Sequence, residues 1–114
     1  MGADRDSALV LDILGAARQV LIFIEGMDRA AFQRDPKTQS AVIFQLVIIG
    51  EATKRLSDGF RSSHPSVPWS DIARMRDRMI HHYTKTNTAQ VWKTVERDVP
   101  ALLRAPGPAS RGDR

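Results

Sequence analysis

One short segment, Arg76-Asp-Arg-Met-Ile-His-His-Tyr83, holds the side chains of this chain that are best suited to chemistry. Two of the three histidines lie here, and arginines occupy positions 74, 76 and 78. Histidine titrates near neutral pH, and arginine presents a permanent fork of donors to phosphate. These side chains can therefore carry out acid–base chemistry on a phosphodiester without a metal.

The spacing within the segment limits how one helix can use it. Seven residues bring Tyr83 to within about 20° of Arg76, whereas His81 lies about 140° from Arg76. One regular helix does not aim Arg76 and His81 at the same phosphate, so either the helix unwinds near His81 or a dimer completes the site. A purely structural alternative pairs Arg76 with Asp77 or Asp71 and leaves His81 to cap the helix end.

Glu51 is the second unusual residue, because it lies in the most apolar helix that the sequence predicts. A buried carboxylate needs a cationic partner. Pairing with Arg76 or Arg78 would make Glu51 an orienting residue for the segment. Alternatively, Glu51 emerges from the helix and pairs with Lys54 or Arg55.

The first half of the chain contains three predicted helices that must position Glu51 and the segment. Apolar residues at helical spacing predict an N-terminal helix over about 6–25. Asp28 is expected to cap a short helical turn that ends at 33. Asp35, followed by a proline, predicts the start of a helix that runs to about 56.

The second half contains a predicted loop and two more helices. Residues 57–68 are predicted as a loop, with Gly59 ending the preceding helix. The third long helix is expected to start at 67–69 and to run to about His82. Thr88 is predicted to cap a last helix, which Pro100 kinks or restarts. No segment alternates convincingly at period two, so we predict an all-α fold, an antiparallel bundle of four to five helices.

The length of 114 residues predicts one domain over 1–104, followed by a disordered tail over 105–114. Residues Ala41–Ile49 form an almost wholly apolar stretch, which one small chain can hardly cover by itself. We therefore expect a homodimer that shares this helix. The same stretch is too short to span a bilayer, and the N-terminus lacks an apolar signal core. The prediction is a cytoplasmic protein without a membrane partner.

Composition excludes several kinds of site. The chain has no cysteine, so disulfides and thiol catalysis are excluded. No glutamate has a histidine three residues later, and adjacent His81 and His82 point about 100° apart on a helix. We predict no metal and no cofactor.

The charge is concentrated near the segment. The chain carries a formal charge of +4, and residues 54–85 hold seven basic and three acidic side chains. A basic patch of this kind suits a phosphate-rich partner. The alternative is a solvated surface with more arginine than average.

Three ordered blocks of the sequence resemble the HepT-like members of the HEPN superfamily. They are the Gly-Glu block at 48–57, the R-x-x-x-x-H-x-Y block at 67–83 and the closing block at 91–102. The resemblance extends over about 9–103 and implies a HEPN-like helical domain that dimerises.

The resemblance also implies a function. It implies the toxin of a bacterial toxin–antitoxin pair, a metal-independent endoribonuclease whose substrate is RNA. Arg76 and His81 would be catalytic. Tyr83 would be adenylylated by the partner, an MNT-type nucleotidyltransferase antitoxin. From their positions in the sequence, and not from the resemblance, we expect Asp77, Arg78 and Glu51 to support the site.

The sequence departs from the family pattern in one position close to the phosphate. Asp77 stands where asparagine is common in HEPN ribonucleases, and its charge is expected to weaken RNA binding. Arg74 replaces a usual glycine, and Thr84 an aromatic residue. A catalytically weak binding partner of a nucleotidyltransferase is therefore one alternative function, and a purely structural helical dimer is another.

Overall fold

A computed structural model describes residues 2–81 and 87–104, with side chains from residue 5 onward. Within these ranges the chain is helical and contains no strand, which confirms the all-α prediction. Four helices are long and two are short. In chain order they are α1 (Gly2–Phe23), α2 (Arg29–Gln33), α3 (Pro36–Arg55), α4 (Asp58–Ser63), α5 (Trp69–His81) and α6 (Thr88–Arg104).

Local capping sets the starts of α2 and α3, as the sequence predicts. The Asp28 carboxylate accepts a hydrogen bond from the Ala31 backbone N–H at 2.8 Å. The Asp35 carboxylate accepts one from the Thr38 backbone N–H at 3.0 Å and a second from the Thr38 hydroxyl at 2.7 Å. Each carboxylate satisfies a donor that the helix leaves without an internal partner.

The predicted loop over 57–68 is wrong in part, because α4 lies inside it and contains Gly59. Ser57 caps this helix, accepting a hydrogen bond from the Phe60 N–H at 3.1 Å. The Ser57 backbone N–H and hydroxyl in turn donate to the buried carboxylate of Asp6, at 2.9 and 2.6 Å. A contact across 51 residues thus stabilises a helix whose serine- and glycine-rich sequence resembles a loop.

The start of α6 also differs from the prediction. Asn87 is the capping residue, since its side-chain oxygen accepts hydrogen bonds from the N–H groups of Ala89 and Gln90 at 2.9 and 3.2 Å. Thr88 is the first residue of the helix rather than its cap. The helix then continues through Pro100 without a restart.

A single buried cluster joins the four long helices. Its largest members include Phe32 and Trp92, whose ring centroids lie 5.2 Å apart. Helix α3 packs against α1 and α5, whereas α6 packs mainly against α1 and α2. Helix α5 is therefore positioned mainly by α3.

Helix α3 buries one face and leaves a large apolar side chain outside. Val42, Leu46 and Ile49 are buried, whereas Phe44 is 64% exposed. None of the helices in the described ranges has the length and apolar character needed to cross a bilayer. Residues 82–86 and 105–114 lie outside the described ranges, so the predicted tail stays a prediction.

Candidate functional site

The site begins with a close approach between α3 and α5. Gly50 is buried where α5 crosses α3, and the stem of Arg76 lies directly over it. A methyl group at Gly50 would overlap Arg76 Cβ and lie 2.7 Å from Arg76 Cγ. Only a residue without a side chain allows this approach, so Gly50 positions Arg76 against α3.

Glu51, the next residue of α3, pairs with the guanidinium of Arg76. Arg76 Nη2 lies 2.6 Å from Glu51 Oε1, and Arg76 Nη1 donates a hydrogen bond to Asp77 Oδ1 at 3.0 Å. Lys54 Nζ donates to the same oxygen of Asp77 at 2.8 Å. Two cations and two carboxylates therefore alternate across α3 and α5, and their formal charges sum to zero.

This network resolves the alternatives for Glu51. Glu51 pairs with Arg76, as one alternative predicted, yet its side chain is 53% exposed, so it is not a buried carboxylate. Lys54 pairs with Asp77 instead of Glu51. The Arg76–Asp77 contact of the structural alternative is present as well.

The network also shifts ionisation. The hydrogen bond to Asp77, followed by the charge of Glu51, raises the pKa of Arg76 even though partial desolvation opposes it. The hydrogen bond from Lys54, and then that from Arg76, lowers the pKa of Asp77 below its usual value. The charged forms of both residues are thus stabilised.

The two carboxylates occupy only some of the hydrogen-bond donors of Arg76. Its side chain is 22% exposed, and among the described residues its buried Nε has no hydrogen-bond partner. A guanidinium carries five N–H donors, and the contacts with Glu51 and Asp77 occupy one on each terminal nitrogen. A phosphate can therefore bind to Arg76 at its exposed edge or displace one carboxylate.

His81 is the last residue of α5 and is exposed. The helix is regular as far as this residue, so it does not unwind between Arg76 and His81. The two side chains of one chain consequently start from helix faces about 140° apart. The structure does not bring them together within one protomer.

The other candidate residues divide between two faces of α5. Asp77 lies beside Arg76, whereas Arg78 lines a cleft between α5 and α6. Tyr83 and His82 fall outside the described residues. No group of three histidine, aspartate or glutamate side chains in the described part of the chain converges as a metal site.

Sequence reasoning missed the packing role of Gly50 and the part that Lys54 plays. A glycine next to a glutamate inside an apolar helix is a signal for close helix approach. Lys54 follows Glu51 by three residues and therefore projects from the same side of α3. Lys54 pairs with Asp77 because of where α5 lies, and no local sequence pattern shows the position of α5.

A fold built from α1–α6, with a Gly-Glu pair facing an arginine of the R-x-x-x-x-H-x-Y segment, defines the class of HEPN-like helical proteins. The family model described as "Ribonuclease HepT-like" matches residues 13–107. The chain belongs to this HepT-like family of the HEPN superfamily.

Several curated proteins are similar over most of the chain. "Putative RNase MJ0127" of Methanocaldococcus jannaschii is 42% identical over 93 residues, which cover 82% of this chain and 77% of that protein. "Probable ribonuclease HepT" of Thermococcus cleftensis is 49% identical over 71 residues, or 62% of this chain and 64% of that protein. "Putative RNase MJ1380" of M. jannaschii is 36% identical over 97 residues, covering 85% and 89%. No solved structure matches the chain.

Proposed function

We propose that this protein is a metal-independent endoribonuclease, the toxin of a pair whose antitoxin is an MNT-type nucleotidyltransferase. The observation that carries the proposal is the family match over 13–107, which includes Arg76, His81 and Tyr83. The names of the relatives, which describe ribonucleases, support an RNA substrate. Such a substrate would place the activity in the cytoplasm.

The proposed chemistry uses only the RNA and the protein's side chains. The 2′-hydroxyl attacks the adjacent phosphorus, the bond from phosphorus to the 5′ oxygen breaks, and that oxygen leaves with a proton. The products are a 2′,3′-cyclic phosphate and a 5′-hydroxyl. His81 moves a proton as general base or acid, and Arg76 stabilises the charge that develops on the phosphate oxygens.

The geometry of α5 supports a site that two protomers share. Since Arg76 and His81 leave the helix about 140° apart, a phosphate held by one Arg76 is better placed for a histidine from elsewhere. Two copies of α5 facing each other across a two-fold axis would bring two arginines and two histidines into one cleft. One histidine could then act as base and the other as acid.

Two exposed apolar side chains beside the network support a dimer interface on this face. Phe44 precedes Glu51 by seven residues and shares its side of α3, and it is 64% exposed. Ile80 follows Arg76 by four residues on α5 and is 44% exposed. Large apolar side chains that flank a charged network favour an interface on this face.

We further propose that the antitoxin silences the enzyme by adenylylating Tyr83. On a helix Tyr83 would lie within about 20° of Arg76. An adenylate there adds bulk and negative charge, which Arg76 would bind in place of RNA. Co-expression with the cognate nucleotidyltransferase should raise the mass of this chain by whole adenylate units. Tyr83→Phe should keep its mass and its activity.

One observation favours the second candidate function, a catalytically weak partner of a nucleotidyltransferase. Asp77 and Glu51 compensate the charge of Arg76, and Lys54 brings the network only to neutrality. A neutral network attracts phosphate less than a free arginine does. A protein that co-purifies with the nucleotidyltransferase but does not cleave RNA would have this second function.

Cleavage of single-stranded RNA by the purified protein, with chelator present, tests the first function. His81→Ala should lower the rate by about 10²–10⁴-fold, as expected for loss of a general acid–base group. Arg76→Ala should lower it through weaker phosphate binding, and His82→Ala is the matched control with a small effect. Circular dichroism verifies the fold. If His82→Ala abolishes cleavage while His81→Ala spares it, the assignment is wrong.

A further inference from the structure

A second group of cations lies on the opposite side of α5 from the Glu51–Arg76 pair. Helices α5 and α6 pack against different neighbours and enclose a cleft of about 170 Å³ between them. We call this the α5–α6 cleft. Its charged lining residues are Asp71, Arg74, Arg78, Lys93, Arg97 and Asp98.

Both carboxylates of the cleft are already paired. Arg74 Nη2 lies 2.6 Å from Asp71 Oδ1, and Arg97 Nε donates to Asp98 Oδ1 at 3.0 Å. The Asp98 side chain is only 3% exposed, so it forms part of the buried wall rather than a solvated anion. The hydrogen bond to Asp98, followed by the charge of Asp98, raises the pKa of Arg97.

Two cations of the cleft, Arg78 and Lys93, form no ion pair with a carboxylate among the described residues. Both side chains are exposed. Four cations against two carboxylates leave the cleft with a formal charge of +2. The network around Arg76, by contrast, sums to zero. Of the two faces of α5, the one toward α6 therefore has the net attraction for an anion.

The cleft also lies on the histidine side of α5. His81 follows Arg74 by seven residues and Arg78 by three, so it is about 20° and 60° from them around the helix. Arg76 is about 140° from His81 on the same basis. A polyanion that follows Arg74 and Arg78 along α5 would arrive at His81.

We propose that the α5–α6 cleft binds a backbone phosphate of the RNA, next to the phosphate that is cleaved at His81. This inference rests on the proposed ribonuclease function and adds a substrate-binding subsite to it. The cleft is smaller than the roughly 300–1,000 Å³ of typical small-molecule sites and is polar, which suits a phosphate group better than a base. Binding through phosphates alone makes this subsite independent of RNA sequence.

The test measures binding of a fluorescent single-stranded 2′-O-methyl RNA, which cannot be cleaved, over a range of salt concentrations. The double variant Arg78→Gln/Lys93→Gln removes the two cations that have no carboxylate partner among the described residues. We expect this variant to bind the RNA more weakly. The slope of the logarithm of the binding constant against the logarithm of the salt concentration should be smaller in magnitude by about 0.7 for each phosphate that the variant no longer neutralises. The charge-preserving variant Arg78→Lys/Lys93→Arg should keep the wild-type slope.

The matched control is Arg29→Gln/Lys37→Gln, which removes the same charge from exposed positions on α2 and α3 outside the cleft. If both double variants lower the slope equally, the cleft is not a site and this inference is overturned. Wild-type binding by the cleft variant overturns it as well. After either of these results, cleavage of RNA by the wild-type protein would still support the proposed ribonuclease function. A wild-type protein that neither binds nor cleaves RNA would overturn the ribonuclease function and the cleft inference together.

Binding of a mononucleotide separates a backbone subsite from a free-phosphate pocket. Adenosine monophosphate should compete with the oligonucleotide only weakly, because it offers one phosphate to the cleft and lacks the neighbouring phosphate that the oligonucleotide places at His81. Strong competition that disappears in Arg78→Gln/Lys93→Gln would show a nucleotide site and contradict the backbone assignment.

Discussion

The stem of Arg76 lies against the backbone of Gly50, so closely that no side chain fits between α3 and α5 at this point. This contact fixes where the guanidinium emerges, one residue from Glu51, its partner at 2.6 Å. A glycine of α3 and an arginine of α5 are thus one packing unit, although they lie far apart in the sequence.

Gly50→Ala is therefore expected to destabilise the protein. The added methyl group meets Arg76 Cβ, which cannot move without shifting α5. Overpacking of this kind costs about 1–3 kcal/mol and outweighs the better helix propensity of alanine. Gly15→Ala is the control, since nothing lies within 4 Å of the new methyl group, and it should be neutral or stabilising. Thermal unfolding followed by circular dichroism compares the two variants, and equal melting temperatures would contradict the packing role.

Asp77→Asn should strengthen RNA binding and cleavage. The substitution removes one of the two negative charges beside Arg76 and leaves an oxygen for Lys54. One charge at a few ångströms in a water-like dielectric corresponds to roughly a three- to tenfold change. Asp58→Asn, at the exposed Asp58–Arg61 pair, is the control. Initial rates on single-stranded RNA give the answer. A slower Asp77→Asn enzyme with an intact fold would show that Asp77 orients Arg76 for catalysis.

Phe44→Asp should weaken the proposed dimer. Burial of a phenylalanine contributes about 1.5–3 kcal/mol, so its loss from an interface weakens association by at least about tenfold. Leu11→Asp is a control of similar exposure on α1, where the exposed fraction is 60%. Sedimentation velocity across a concentration series distinguishes monomer from dimer. Dissociation by Leu11→Asp alone would move the interface to α1, and a monomeric wild type at micromolar concentration would reject the shared site.

Acid should destabilise the protein, because hydrogen bonds within the fold stabilise the charged forms of two carboxylates. The backbone N–H and then the hydroxyl of Thr38 lower the pKa of Asp35, and the hydrogen bond from Lys54 lowers the pKa of Asp77. A lowered folded-state pKa adds stability above the unfolded-state value, and this stability is lost as the pH falls through the folded-state value.

The variant Asp35→Asn isolates this effect. Asparagine keeps a side-chain oxygen for the start of α3 but does not titrate. The free energy of unfolding of this variant should fall less steeply between about pH 5 and pH 3 than that of the wild type. Urea unfolding at several pH values measures both slopes, and identical slopes would exclude Asp35 as a source of acid sensitivity.

Local sequence determined most of the helices. Asp28 and Asp35 cap the helices they were predicted to cap, because a side-chain oxygen and a backbone N–H three residues later need no distant partner. The period of apolar residues likewise predicted the long helices and the all-α class. The order of three motif blocks was enough to indicate the family that the family model shows.

Tertiary structure alone decided the contacts between helices. Helix α4 depends on the bond from Ser57 to Asp6, and the choice of Asp77 by Lys54 depends on the position of α5. The opening between α5 and α6 arises because each helix packs on a different neighbour. Sequence patterns repeat over a few residues and specify which face of a helix is apolar. They do not specify which of several helices covers that face, because this choice follows from the packing of the whole core.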